Sequence, residues 1–304
     1  MYFALLLFLA SGFITPVKEV KLEYTFKIGD EYTMTQVTKQ TIKQSIMGTE
    51  QNGENGYTGE MKFKVIELTD KGAKLETQFL TLKNSSKTIM GEVTMDSEGP
   101  GESVQNKVFK SMMKKSFIIT LNTTGVVENV EGAENLWSDI GSLGLDENTL
   151  ATTKQSLEQL LGKSSLKNNF EQAMVYYTDK KVKQGDTWNS KNAFPMDFPI
   201  QVDNSWSLVS LTGTTAKVNA DGIYTTTDMG KIINLPNGIK AKIDLNGKQV
   251  MMSTVNVKTG WPIDLQIRSE LKGKMILLAG GLLPEDMEVP MEILTETTYK
   301  IVKK

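Results

Sequence analysis

Apolar and polar residues alternate with a period of two over much of the chain. Near the start, Leu22, Tyr24 and Phe26 alternate with charged residues or threonine. Such alternation predicts β-strands with one buried face and one solvated face. The segments that show an extended pattern are 20–47, 61–65, 75–82, 117–121, 126–130, 200–211, 216–227, 239–245, 249–257, 263–271 and 291–302.

Two Asn- and Gly-rich sequences predict where strands are interrupted. Asn246-Gly247 stands between the segments 239–245 and 249–257, and Asn-Gly is the strongest short signal for a two-residue hairpin turn. Residues 52–56 (NGENG) predict a loop, because Asn and Gly tolerate the backbone angles that turns need.

A helical period replaces the alternation in two regions and predicts helices at about 103–115 and 147–176. In the first region, Val104, Val108 and Met112 form one apolar stripe, and Ser103 is placed to cap the N-terminus. In the second region, leucines define one apolar face up to Gly162, and another apolar face follows it.

One turn sequence occurs twice. Residues 27–32 (KIGDEY) and 183–188 (KQGDTW) each place a Gly-Asp pair between a lysine and an aromatic residue. Two further matches follow in the same order, namely Leu-Thr at 68–69 and 211–212, and Thr-Gly at 124–125 and 259–260. Three matches in one order indicate the duplication of a β-rich unit. The predicted units are 13–177, with helical insertions, and 178–304, following a signal peptide at 1–12.

These elements predict an α+β fold that is dominated by antiparallel strands. We expect two duplicated meanders that form either one strongly curved sheet or two packed lobes. The helices are expected to cover one face of the sheet.

The N-terminus has the pattern of an export signal. Residues 2–10 (YFALLLFLA) form an apolar run of nine residues, too short to span a bilayer but as long as the apolar core of a signal peptide. Ala10 and Gly12 are small and permit cleavage after Gly12. We therefore expect a periplasmic or secreted protein that is not an integral membrane protein. The alternative is a buried N-terminal strand or helix.

Composition narrows the function classes. The chain has no histidine and no cysteine, which excludes Ser-His-Asp and Cys-His catalysis, thiolate chemistry and ordinary zinc sites. We expect no enzyme activity, no cofactor and no bound metal. The 34 basic residues nearly balance the 36 acidic ones and include a single arginine, Arg268, so nucleic acid is not expected as a partner. The acidic residues Glu285, Asp286 and Glu288 lack the glycine turn of a calcium loop.

The chain resembles an uncharacterised family of exported, β-rich proteins from Bacteroidetes-type bacteria, known only as a domain of unknown function. The resemblance rests on the apolar segment 2–10, the two Lys-x-Gly-Asp-x-aromatic turns and the later Thr-Gly turns. It covers nearly the whole chain after the signal segment. It implies a location outside the cytoplasm and supplies no activity.

The leading hypothesis is a non-enzymatic protein that binds an apolar ligand or lipid, like a lipid carrier, in a cavity between the curved sheet and the helices. The candidate cavity residues are Trp137 and, in the apolar run 275–283, Leu277, Leu278 and Leu282. The simpler interpretation of both features is core packing. The alternatives are a structural or protein-interaction module of the cell envelope with no ligand, and a carboxylate-dependent glycan hydrolase.

Overall fold

The computed structural model describes residues 19–88, 91–101, 103–193, 198–235, 239–280 and 283–304. The strands are β1 (Glu31–Ile46), β2 (Thr49–Leu68), β3 (Gly72–Thr88), β4 (Gly91–Asp96), β5 (Ser116–Asn122), β6 (Val127–Glu131), β7 (Thr187–Ala193), β8 (Ile200–Thr212), β9 (Thr215–Thr226), β10 (Ile233–Asn234), β11 (Lys240–Asn256), β12 (Pro262–Leu277) and β13 (Met287–Lys303). The helices are α1 (Val104–Met112), α2 (Glu147–Leu161) and α3 (Lys163–Gln172), with 3-10 helices at Ala133–Trp137 and Ile140–Leu143. Among the described residues, no helix combines the length and the apolar character needed to cross a bilayer.

The strands form one antiparallel sheet. Its order is β6-β5-β3-β2-β1-β13-β12-β11-β9-β8-β7, with β4 paired to β3 and β10 paired to β11. The pairing of β1 with β13 joins the two halves of the chain into one surface. Helix α3 contacts both β6 and β7, the strands at the two ends of this order, so the sheet curves strongly. The α+β fold class is confirmed, and its form is one curved sheet rather than two lobes.

The repeated Gly-Asp turns have the same backbone geometry. Gly29 and Gly185 have φ angles of 90° and 91°. The N–H of Gly29 donates to the carbonyl of Val65 at 2.9 Å, and that of Gly185 donates to the carbonyl of Leu208 at 2.8 Å. A β-bulge directly follows both acceptor residues. The duplicated sequence therefore builds duplicated structure, while the unit boundaries at residues 177 and 178 stay predictions.

The two Thr-Gly turns both have glycine at positive φ, and together they hold the segment that precedes β1. Tyr24 donates its N–H to the carbonyl of Thr123 at 2.8 Å, and Thr25 donates to the carbonyl of Thr259 at 2.9 Å. The ring of Tyr24 meets that of Trp261 edge to face, with centroids 5.4 Å apart. One segment thus touches a turn from each half of the chain.

Both predicted interruptions at Asn-Gly sequences are wrong. Residues 52–56 lie inside β2, and Asn246-Gly247 lies inside β11. Gly247 pairs with Leu271 on one side and with Tyr224 on the other, so two partner strands outweigh the local turn preference. A Cβ at Gly247 would overlap the carbonyl oxygen of Glu270, which shows that the glycine permits a close approach of β12.

Two apolar clusters lie on the inner face of the sheet, the face covered by the helices. The main cluster includes Tyr32, Phe63, Leu75, Phe117, Leu136, Leu157, Phe170, Trp206 and Trp261. The second cluster consists of Ile200, Val202, Tyr224, Ile233, Ala241, Ile243, Leu245, Leu271 and Met291. The ring of Phe170 on α3 lies 5.9 Å from the rings of both Phe63 and Phe117, so α3 packs directly on the main cluster.

Candidate functional site

The residues predicted to line a cavity lie in separate regions. Trp137 is 8% exposed and packs in the main cluster. Leu277 ends β12 and packs against the second cluster, and Leu278 donates its N–H to the carbonyl of Lys240 at 2.8 Å. Leu282 lies outside the described residues. The structure does not bring Trp137 and Leu277 into one cluster, and a binding role for them stays a prediction.

The acidic residues after Pro284 are engaged in local contacts. Asp286 accepts the N–H of Ala279 at 2.7 Å, and Glu288 accepts a hydrogen bond from Lys274 at 2.6 Å. Within the part of the chain that the structure describes, no group of three or more acidic side chains is arranged to hold a metal ion.

A band of neutral polar side chains crosses the inner face of the sheet, and we call it the amide belt. Its members are Ser190 and Asn192 on β7, Asn204 on β8, Gln249 on β11, Ser269 on β12, Thr295 and Thr297 on β13, Thr38 and Gln40 on β1, and Asn55 on β2. Strand pairing aligns them, since Gln249 stands opposite Ser269, and Ser269 stands opposite Thr295. The belt lies among apolar positions of the same face.

Hydrogen bonds connect the belt from β7 to β11. Asn204 donates from Nδ2 to Oδ1 of Asn192 at 3.2 Å, and its own Oδ1 accepts from Nε2 of Gln249 at 2.7 Å. The hydroxyl of Tyr224 donates to Oε1 of Gln249 at 2.6 Å. Buried amides that bond to one another in this way avoid most of the cost of losing water.

The same pattern continues from β13 to β2. Gln40 donates from Nε2 to the hydroxyl of Thr295 at 3.2 Å, and Asn55 donates from Nδ2 to Oε1 of Gln40 at 2.9 Å. The hydroxyls of Thr38 and Thr297 lie 3.0 Å apart. The belt is therefore a network of uncharged donors and acceptors that crosses both halves of the sheet.

The end of α3 lies over the belt and encloses a small cavity, the inner pocket, of about 50 Å³. Its roof is formed by Glu171, Gln172, Met174 and Tyr176, and its floor includes Asn192, Asn204, Gln249, Ser269, Thr295 and Thr297. Val202 and Tyr224 of the second cluster and Trp206 and Met251 of the main cluster complete much of the wall. The inner pocket therefore lies where the two apolar clusters meet the amide belt.

Three polar atoms of this wall are buried without a hydrogen-bond partner among the described residues. They are Nε2 of Gln172, Nδ2 of Asn192 and the hydroxyl of Tyr176. A buried donor without a partner costs free energy, so such atoms indicate a place for a bound group or water. Their concentration in one small cavity distinguishes the inner pocket from the rest of the described core.

Burial also changes the pKa values of two side chains in the roof of the inner pocket. It raises the pKa of the Glu171 carboxyl above its ordinary value, and the positive charge of Lys167, whose Nζ lies 4.0 Å away, partly offsets this rise. Burial likewise raises the pKa of Tyr176, with a smaller contribution from the charge of Glu171. Asn192 partly offsets the second rise, although the two side chains do not meet with full hydrogen-bond geometry. Both shifts favour uncharged groups in the inner pocket.

Two larger clefts lie beside the inner pocket and share wall residues with it or with each other. The middle cleft has a volume of about 380 Å³, lies between α3 and strands β7 to β9, and shares Asn192 with the inner pocket. The entrance cleft has a volume of about 540 Å³, lies between the α2–α3 junction and the segment that carries β10, and shares Phe198 and Lys231 with the middle cleft. The apolar side chains of the entrance cleft are Leu160, Phe198, Ile232, Ile233 and Leu235. The entrance cleft also has the charged side chains Glu158, Lys163 and Lys231, and Lys191, Asp228 and Lys231 line the middle cleft.

Sequence comparison places the chain in a family. Residues 70–262 match the family described as "Family of unknown function (DUF6263)". The chain belongs to this family. The matched span includes α1 to α3, and it contains Gln172, Asn192, Asn204 and Gln249 of the inner pocket. The expectation of a domain of unknown function is confirmed.

No curated protein sequence matches the chain significantly. Among solved structures, lipovitellin, described under "Lipid-protein interactions in lipovitellin", is similar with 8% identity and a TM-score of 0.47 over 92% of this chain. The chain spans only 25% of the length of that lipovitellin chain. An outer membrane channel from Pseudomonas putida F1 is similar over 92% of this chain and 97% of its own, with 8% identity and a TM-score of 0.28. OccK7 (OpdD) from Pseudomonas aeruginosa is similar over 90% of this chain and 100% of its own, with 6% identity and a TM-score of 0.23. All three TM-scores are below 0.5.

The inner pocket of this DUF6263 protein has one acidic side chain among mainly uncharged wall residues. Glu171 is the one carboxylic acid in the described wall of the inner pocket. The two opposed carboxyl groups that a glycan hydrolase of the usual kind uses are not found among the described residues of this wall. What the wall supplies is hydrogen-bond donors beside apolar surface.

Sequence reasoning missed the amide belt. A signal was present in β8, where Ile200, Val202, Trp206 and Leu208 are buried at every second position and Asn204 is the polar residue within that series. A neutral amide at an inward position of an alternating strand marks a buried hydrogen bond or a binding site. Gln172 at the end of α3 was also missed, and the sequence of that helix has no comparable pattern that marks it.

Proposed function

We propose that this protein is an exported, non-enzymatic member of the DUF6263 family that binds an apolar or amphipathic ligand in the entrance and middle clefts. The observation that carries the proposal is the series of three cavities with shared wall residues. Ligand sites are typically clefts of about 300–1,000 Å³ that combine apolar walls with polar groups. The entrance cleft has a volume in this range, and its five apolar side chains lie beside polar and charged ones.

Two parts of the proposal, export and a role without catalysis, are supported by the sequence. The apolar run at residues 2–10 supports export to the periplasm or the medium, as does the resemblance to an exported family of Bacteroidetes-type bacteria. The absence of histidine and cysteine supports a role without nucleophilic or thiolate chemistry. A lipid carried between envelope sites is one occupant that fits these conditions.

A titration with N-phenyl-1-naphthylamine, an uncharged apolar dye whose fluorescence rises in apolar surroundings, tests this function. We expect saturable binding, and at least about tenfold weaker binding to the double variant Leu160→Gln/Ile232→Gln, because both changes replace apolar wall with polar groups. Leu160 is 46% exposed, so the change does not open the core.

The matched control is the double variant Ile223→Gln/Met252→Gln. Both residues are exposed on strands β9 and β11, away from the cavity walls described above, and Ile223 is 60% exposed. This variant is expected to bind the dye like the unchanged protein. Absence of saturable binding would overturn the proposal and favour the alternative, an envelope interaction module without a ligand.

A further inference from the structure

The three partnerless atoms of the inner pocket specify what a ligand must bring there. Nε2 of Gln172 and Nδ2 of Asn192 can only donate hydrogen bonds, and the Tyr176 hydroxyl can donate as well. Oδ1 of Asn192 already accepts from Asn204. The group that completes the pocket must therefore be a hydrogen-bond acceptor.

The charges around the pocket require that this acceptor be neutral. The described wall contains no lysine or arginine, and its one acidic side chain is Glu171. Lys167 approaches Glu171 but is not part of the wall. The other titratable groups of the wall are tyrosines. A buried carboxylate or phosphate would have no counter-ion there and would lie near a like charge whenever Glu171 is ionised, which is strongly unfavourable.

Size restricts the acceptor further. At about 50 Å³, the inner pocket is far smaller than the middle and entrance clefts, so it suits a compact head group rather than a long chain. A carbonyl with one small substituent is a head group of this compact kind. Asn192 lines both the inner pocket and the middle cleft, so a chain attached to this carbonyl would leave the pocket past Asn192.

We propose that the inner pocket binds the uncharged carbonyl of an amphiphile, such as a fatty amide or a fatty ester, through Gln172, Asn192 and Tyr176. The acyl chain lies in the middle and entrance clefts. This inference rests on the proposed function and adds the chemical class of the ligand.

Competition with the bound dye tests the class. Four competitors share a twelve-carbon chain and differ at the polar end: lauramide, methyl laurate, laurate and dodecyltrimethylammonium. At pH 7 we expect lauramide and methyl laurate to displace N-phenyl-1-naphthylamine at concentrations at least about tenfold lower than the two charged compounds. A charged head group would lose its hydration in the inner pocket without meeting a counter-ion, whereas a neutral carbonyl would accept hydrogen bonds there without that cost.

A variant of the roof tests the contribution of the head group to binding separately from that of the acyl chain. Gln172→Leu removes one donor from the roof, and we expect it to weaken lauramide at least about tenfold while dye binding stays unchanged, since the dye has no carbonyl. The control is Gln155→Leu on the exposed side of α2. Thermal unfolding of each variant verifies that it is folded.

The outcomes distinguish the two proposals. If the dye binds but laurate competes as well as lauramide, or Gln172→Leu leaves lauramide unaffected, the carbonyl inference is wrong and the proposed function stands. If neither the dye nor any of the four amphiphiles binds, both are wrong, and the inner pocket holds water only.

Discussion

At the scale of single residues, the turn between β1 and β2 contains an unfavourable choice. Met47 and Gly48 have φ angles of 50° and 78° and connect Ile46 to its partner Thr49. Positive φ at both central positions is the type I′ turn, for which Asn-Gly is the preferred sequence. Met47 is also 84% exposed, so its side chain gains little from packing.

We therefore predict that Met47→Asn stabilises the protein by about 0.5–1 kcal/mol, because asparagine tolerates the left-handed region better than methionine does. The midpoint of urea unfolding, with an unchanged slope, measures this gain. Met252→Asn is the control, since it makes the same change at an exposed site in the extended strand β11, where asparagine is disfavoured. An equal change in the urea midpoint of the two variants would show that turn geometry is not the cause of the stabilisation.

At the scale of elements, the two kinds of repeated turn use glycine for different reasons. A Cβ at Gly29 or Gly185 would meet no atom within 4 Å, so these glycines serve only the positive φ. A Cβ at Gly260 would overlap the carbonyl oxygen of Glu23. Gly125 makes an equivalent approach to the backbone of the segment that precedes β7. The Thr-Gly turns therefore combine positive φ with close backbone packing.

Alanine substitutions at these four positions are predicted to fall into two pairs, with similar losses of stability within each pair. Gly29→Ala and Gly185→Ala are expected to cost about 1 kcal/mol each, the strain of a left-handed alanine. Gly125→Ala and Gly260→Ala are expected to cost at least about 3 kcal/mol, because backbone must also move. Urea unfolding of the four variants measures the costs. Four equal losses would contradict the assignment of close packing to the Thr-Gly turns.

The same physical causes explain why some turns could be predicted from the sequence and others could not. The repeated Gly-Asp motifs could be recognised as turns because their structure is determined locally, by Gly at positive φ and the hydrogen bonds around it. Asn246-Gly247 has equally good turn chemistry but lies within β11, because β9 and β12 provide partners on both sides. Local signals decided the structure where no other strand competed for the backbone.

The site was less accessible from sequence than the fold. Asn192, Asn204 and Gln249 form one hydrogen-bonded chain, but they lie on three strands and come together only through the registers of β7, β8, β9 and β11. Register depends on the pairing of whole strands, which no single segment encodes. Trp137 and Leu277 attracted notice because they are large and apolar, and such residues are common in any core.

At the scale of the whole molecule, charge is distributed unequally between the two faces of the sheet. Ion pairs such as Lys272 with Glu292, at 2.9 Å, lie on the exposed face and contribute little to stability. The inner face carries the uncharged amide belt, and Glu171 on α3 is the acidic side chain that meets it. The side chain of Glu171 is only 11% exposed. Its titration is therefore coupled to the folding of the molecule.

The raised pKa of Glu171 gives the coupling a definite sign. The unfolded chain releases the proton near the ordinary pKa of about 4.3, whereas the folded protein holds it to higher pH. The group thus contributes its full stability below about pH 4, and this contribution is lost as pH rises through the folded-state pKa. Glu171→Gln keeps the neutral form at every pH. We predict that this variant has a higher urea midpoint than the unchanged protein at pH 7 and that the difference disappears below about pH 4.

The exposed residue Glu128 on β6 provides the control for this effect. Glu128→Gln removes the same charge from a solvated site, so we expect its urea midpoint to stay close to that of the unchanged protein at both pH values. Glu171→Gln also removes the contact with Lys167, but a pair on a helix surface contributes only about 0.3–0.5 kcal/mol. If Glu171→Gln were destabilising at pH 7, that ion pair would outweigh burial. The carboxyl would then be charged in the folded protein, and burial would not be the main influence on its pKa.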